Sequence, residues 1–316
     1  MTPRAAMLTR LRTTSRLRGR QATRALMILM LVLTALMVAA LVFGSSRSFL
    51  VEARTASLTL TFGTASGPDG TPRPAGDEWR LTGALACRPA PLPRRGATDP
   101  CGAAYAPQGA PGEHILDWAP GTTIRLRNDA DGRLTIEIRA GMAARGYPDG
   151  TLLILEPAAQ RRLGALTFHA AATLGEDMAA GARFYLTGGR WEAREAGRVT
   201  SMFRGGVTEI IKTGDFATGA RARILKDGEP AQVSGQVVPA PGGGPMEVTI
   251  ISEAGDTALG VRHFGVRDEV VIKPDWVDIA VDSPLLLALA AIFSLLAAAK
   301  QALVDTTRKD DPGGAG

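Results

Sequence analysis

The chain is predicted to fold as a mainly β, β-sandwich-like extracytoplasmic body, in one large or two modules, flanked by two transmembrane α-helices. Three observations predict this. Apolar and polar residues alternate in about fourteen short segments. Clusters of turn-forming residues separate those segments. A charge-free apolar run stands near each end of the chain.

The first run, 25–44, is long enough to cross a bilayer core of about 30 Å as a helix. Ahead of it, residues 1–24 hold Arg4, Arg10, Arg12, Arg16, Arg18, Arg20 and Arg24 and no acid. Beyond it stand only Arg47 and Arg54, with Glu52 between them. The second run is charge-free over 284–299 and would continue past Lys300 to 304; it opens on Pro284, which suits a first helical turn, with Asp282 or Ser283 as its cap. Lys300 would snorkel to the interface and Trp276 would sit among the headgroups. Ala290, Ser294 and Ala298 repeat a small residue every helical turn, a smooth face for helix packing. Basic residues follow this run and Asp275, Asp278 and Asp282 precede it, so both ends place their basic flank inside. The expectation is a two-pass protein of the inner (cytoplasmic) membrane. Both termini, the arm 1–24 and the tail 305–316, would be cytoplasmic, and the body 45–282 periplasmic. A cleaved secretory signal would have a shorter apolar core and a better site than Val42-Phe43-Gly44-Ser45.

Within the body, period-two segments fall at 57–62, 79–86, 122–127, 134–139, 151–155 and 166–171. They resume at 183–187, 207–212, 220–225, 232–238, 247–252, 258–264, 269–272 and 277–281. Asn128-Asp129-Ala130-Asp131-Gly132 separates Ile124/Leu126 from Leu134/Ile136/Ile138, the clearest hairpin. Pro148-Asp149-Gly150, Lys226-Asp227-Gly228 and Pro241-Gly242-Gly243-Gly244-Pro245 mark further turns. Helical periodicity is confined to 158–163 and 175–180. Segments 63–76 and 89–112 read as exposed Pro/Gly-rich loops, and a break between modules is expected near 194–204. No repeat of fixed period indicates a solenoid or propeller.

The formal charge of +5 is smaller than the contribution of residues 1–24 alone, so the body is close to neutral. That excludes the basic footprint of a nucleic-acid-binding domain. The two cysteines, Cys87 and Cys101, are read as a disulfide, since a lone pair in an oxidising compartment bridges rather than binds metal. Structural zinc would need four ligands, and His114, His169 and His263 share no ligand spacing. No Gly-x-Ser-x-Gly stands in the chain, and the glycine run at 242–244 lacks the lysine of a phosphate loop. No cofactor, metal site or catalytic residue is expected.

Each of the four tryptophans adjoins an acid: Glu78-Trp79, Asp117-Trp118, Trp191-Glu192 and Asp275-Trp276. On a strand, neighbours point to opposite faces, which predicts buried Trp79, Trp118 and Trp191 beside solvated acids. The function expected is therefore a non-enzymatic, membrane-anchored envelope protein whose β-rich module binds a protein or glycan partner. Its partners would be the lipid bilayer and another membrane or envelope protein. The alternative is a membrane-anchored hydrolase of envelope carbohydrate, using carboxylates near Trp118 or Trp191.

Overall fold

The computed structural model describes residues 45–63, 65–66, 72–73, 78–94, 96, 98–176, 184–197 and 209–274, with isolated helical positions Ile28, Val32, Ala291, Ser294, Leu295 and Ala298. Backbone contacts divide the chain into two compact units, Met1–Ser46 with Ala196–Thr208, and Arg47–Glu195 with Glu209–Gly316. In the first unit the described residues are Ile28, Val32 and the strand ends at 45–46 and 196–197. The second unit holds the sheet.

Its strands follow the chain in order. The first are β1 (Ser45–Thr55), β2 (Ser57–Thr61), β3 (Ala65–Ser66), β4 (Pro72–Arg73) and β5 (Trp79–Pro89). Next come β6 (Tyr105–Pro107), β7 (Gly112–Leu116), β8 (Thr123–Asn128), β9 (Leu134–Ala140) and β10 (Leu152–Leu155). A 3-10 turn, Ala143–Arg145, precedes β10, and the short helix α1 (Pro157–Gln160) follows it. The remainder are β11 (Leu166–Leu174), β12 (Leu186–Gly197), β13 (Glu209–Phe216), β14 (Arg221–Lys226), β15 (Glu229–Pro230), β16 (Gln232–Val238), β17 (Met246–Ser252), β18 (Thr257–Arg262) and β19 (Val270–Ile272).

Apart from the small β3–β4 pair, the strands join one large sheet, and every ladder of described register is antiparallel. β2 and β5 to β10 pair among themselves, as do β1 and β12 to β19. β11 joins the two groups. Leu166–Ala171 pair with β16, Ala171–Leu174 pair with β2, and Thr173 and Leu174 also reach β14. One core runs through both groups, from Phe49 and Leu60 to Val233 and Leu259. One connected sheet thus stands in place of the expected sandwich, because a single long strand serves three partners, and pairing of that kind leaves no mark on periodicity.

The expectation of two flanking transmembrane helices is corrected, and with it the two-pass inner-membrane placement. Among the described residues, no helix is long and apolar enough to cross a membrane. Runs 25–44 and 284–304 otherwise lie outside the described residues. Freedom from charge was the weaker criterion: a span needs about twenty apolar residues in one helix, and the second run is short and alanine-rich, with little apolar area per residue. Trp276, Lys300, Ala290, the strand expected at 277–281 and most of the expected break lie outside the described residues as well. Ser294 and Ala298 are exposed helical positions.

The β8–β9 hairpin forms as read, with Ile124 opposite Ile138 and Leu126 opposite Ile136. Its turn then docks on the second glycine-rich turn. The Asn128 side chain donates to the carbonyls of Ala240 (2.8 Å) and Gly244 (2.7 Å). A Cβ at Gly132 would lie 2.7 Å from the Pro241 carbonyl oxygen, and one at Gly243 would strike the Ala130 carbonyl. Both glycines also hold positive φ, +80° and +75°, which L-side chains rarely adopt. Two turns far apart in sequence are therefore locked through backbone contact.

Several strands escaped the sequence reading, among them β1, most of β12, β6, β7 and the short β3–β4 pair in the segment 63–76 read as loop. β1 alternates Phe49, Val51 and Ala53 into the core but follows the apolar run without a break. β6 lies in the segment read as loop, 89–112, and β7 begins at its last residue, Gly112. They are held because β5 offers them its edge, with Cys87 opposite Pro107 and Trp79 opposite Leu116.

Candidate protein-binding edge

The disulfide forms as read, joining Cys87 and Cys101 with Cα atoms 5.7 Å apart. Both cysteines are buried with Leu85 and Ile154, and Tyr105 and Leu152 pack against them. The bridge closes a proline-rich loop whose tip exposes Leu92. Arg94 braces the loop through Asp99 (2.5 Å) and the Tyr105 carbonyl (2.8 Å). The Arg94 guanidinium holds the Asp99 carboxyl below the usual range.

Trp79, Trp118 and Trp191 are all core residues, 2%, 2% and 6% exposed, so none offers a face to a ligand. The acids beside them are engaged by arginines: Glu78 by Arg80 (3.6 Å), Asp117 by Arg145 and Glu192 by Arg194 (2.7 Å). His114 meets the Tyr147 hydroxyl at 3.0 Å and His169 meets Ser234 at 3.1 Å. Among the described residues, no three His, Cys, Asp or Glu side chains gather as metal ligands.

An open groove of about 470 Å³ lies between the β14–β15 turn and the β17–β18 loop. It is lined by His169, Lys226, Asp227, Glu229, Gln232 and Glu253, among others. The Gln232 Oε1 is buried and accepts no described hydrogen bond. Three acids, Asp227, Glu229 and Glu253, stand in the groove lining against Lys226.

The most unusual surface is the neighbouring hairpin. Among the described residues β19 pairs only with β18, with Gly260 opposite Val271 and Val261 opposite Val270. Its other edge carries no partner strand among the described residues. On that edge Val270 is 49% and Val271 54% exposed, and the connecting loop adds Phe264 at 60% and Val266 at 49%. Unpaired strand edges are normally blunted by charge, proline or cover, because they template pairing with another chain. Here two valines stand bare, and Asp268, Glu269 and Lys273 flank the strand.

The hairpin is nevertheless held in place. Arg223 of β14 donates to both oxygens of Glu269, at 2.8 and 2.5 Å, a bidentate pair. To reach it, the Glu269 carboxylate crosses β18 over Gly260, where any Cβ would collide with it. At the other end Lys273 donates to Asp256 at 2.9 Å, and Arg47 approaches the same carboxylate at 3.8 Å. The hydrogen bonds from Arg223 hold Glu269 below the usual carboxylate range, against an opposing effect of burial, and Lys273 does the same for Asp256.

Both groups therefore stabilise the fold above their unfolded values near pH 4, and this stabilisation is lost as pH falls through their lower folded values. Asp129 acts oppositely, since burial and then Asp131 raise it, so acidification relieves it. Hydrogen exchange at the amides of residues 269–272 should accelerate as the pH falls below about 4, after correction for intrinsic rates. Unchanged protection would mean that these ion pairs do not hold the hairpin.

The sequence reading placed strands here but not a site. The signal was present: Val270-Val271-Ile272 is apolar on both faces, and a short strand of that kind beside charged residues is a candidate exposed edge. Comparison with known protein families, curated proteins and solved structures returns no match.

Proposed function

We propose that this chain is a non-enzymatic protein-binding module that takes an extended segment of a partner protein along the open edge of β19. The observation that carries this reading is the pair of half-exposed valines on a strand with one side unpaired among the described residues. Strand addition draws affinity from main-chain hydrogen bonds and specificity from alternate side chains. Phe264 and Val266 extend the apolar surface beside it. Protein is favoured over glycan because the tryptophans that would form a sugar platform are in the core. A binding role is favoured over hydrolysis because the acids beside Trp118 and Trp191 are engaged by arginines.

The test uses a panel of extended peptides that alternate Val, Ile or Thr with polar residues. Retained peptides are expected to slow hydrogen exchange at 270–272 and to lose binding to the Val271→Lys protein. Lysine at a half-exposed edge position disfavours strand addition. If no peptide is retained, or if the lysine protein binds equally well, β19 is not the binding edge.

A further inference from the structure

We infer that the partner segment at β19 runs antiparallel to the strand and carries carboxylates just past its paired residues, on their C-terminal side. This rests on the partner-binding reading of β19 and names the chemistry of the partner.

The two ends of β19 differ in charge. At its C-terminal end, Lys273 donates to Asp256, and Arg47 approaches the same carboxylate. Glu253 stands with Asp256 in the β17–β18 loop, so two cations face two acids there. The N-terminal end is unbalanced. Arg221 of β14 lies directly opposite Arg262 of β18, and like charges in that relation are destabilising. The Glu269 carboxyl feels both arginines, but both of its oxygens are already committed to Arg223. Arg267 is exposed in the loop that leads into β19 and makes no ion pair among the described residues. Four arginines, Arg221, Arg223, Arg262 and Arg267, thus stand against Asp268 and Glu269 at this end.

Direction connects this charge to the partner. The sheet beside the edge is antiparallel, from β14 to β18 and from β18 to β19, and antiparallel pairing is the more stable per residue. A segment added in that sense enters beside Lys273 and leaves beside Glu269. Its C-terminal side therefore reaches the cationic end. There Phe264 and Val266, 60% and 49% exposed, stand next to Arg267 and give apolar contact to the residues between the paired core and the acids. Acids on the N-terminal side of the segment would instead come beside Asp256 and Glu253. Charges at the rim of a joint set orientation and association rate more than affinity. The arginine-rich end accordingly selects which way the segment lies, while main-chain pairing along the valines holds it.

Binding of three peptides to the full chain, followed by fluorescence anisotropy, tests this. All share an alternating Thr-Val core and blocked termini. One carries Glu-Glu after the core, one carries Glu-Glu before it, and one carries Lys-Lys after it. The first is expected to bind about fivefold more tightly than either of the others at low salt. That gap should narrow as salt is raised. Arg267→Glu replaces an exposed cation that holds no described ion pair, and should invert the order of the first and third peptides. Equal binding of the three overturns the inference, as does a preference for acids before the core or an order unchanged in the Arg267→Glu protein. If the peptides in those cases still lose binding to the Val271→Lys protein, the edge stands and only the acidic partner falls. If none of the three is retained, the binding edge falls and the acidic partner with it.

Discussion

Trp118→Ala is expected to lower the unfolding free energy by about 3–5 kcal/mol, the largest single-residue effect in this molecule. The indole is 2% exposed and lies flat against Phe62, with ring centroids 4.9 Å apart and planes 7° apart. Trp79 meets it edge-on at 5.0 Å. The Trp79 N–H in turn donates to the Thr167 carbonyl of β11 at 2.7 Å. The cluster therefore fixes the first strand group to the strand that joins both groups. Collapse around the lost ring is resisted by Phe62 and Trp79, so a cavity remains and adds to the transfer cost. The Trp118 Nε1 is buried without a described hydrogen-bond acceptor. Trp118→Phe removes that unpaired donor together with some ring area and should cost far less than the alanine change. Urea denaturation of both variants measures this. A loss below about 1 kcal/mol for Trp118→Ala would remove the three-ring cluster from the account of the core.

Removing the disulfide, by Cys87→Ala with Cys101→Ala, is expected to cost about 3 kcal/mol by the loop-entropy argument. The closed loop separates its ends by 14 residues and has little apolar surface of its own to bury. Without the bridge, β6 loses the covalent tie that holds it beside Cys87–Pro89, and the Arg94–Asp99 pair alone must brace the turn. Arg94 is half-buried in the bridged fold. Trypsin should therefore nick the alanine protein within 88–100 faster than the bridged one, with the remaining sheet intact by circular dichroism. Equal resistance would show that the Arg94 brace and the β5–β6 ladder hold the loop by themselves.

How far the sequence reaches is visible in β8 and β9. Ile124, Leu126, Ile136 and Ile138 alternate with arginine, threonine and glutamate, and that period alone fixes strand, face and register partner. The same logic buried Trp79 beside an exposed Glu78 and buried Trp191, although the Glu192 side chain beside it is only 15% exposed; Trp118 is buried too, but just past the end of β7. The cysteine pair also followed from composition, because two thiols in an otherwise cysteine-free chain have only each other.

Other features depended on information that no local window contains. The β11 segment reads as an ordinary alternating strand, yet its three partners merge two groups into one sheet. β1 was hidden by the apolar run before it, and the runs themselves were overread, since absence of charge does not make a spanning helix. Arg125 and Arg127 were legible as an outer face, but Glu176, which meets both at 3.3 and 2.9 Å, arrives from the far end of β11.

For the candidate site the division is sharp. Sequence by itself determined the strand, its apolar character and the acid and base at its ends, because these are properties of six consecutive residues. Only the tertiary structure decided that one side of that strand has no partner among the described residues, that Gly260 lets Glu269 cross to Arg223, and that Asp256 holds Lys273. The physical reason is that an edge is defined by what does not pair with it, and pairing is a property of the whole chain.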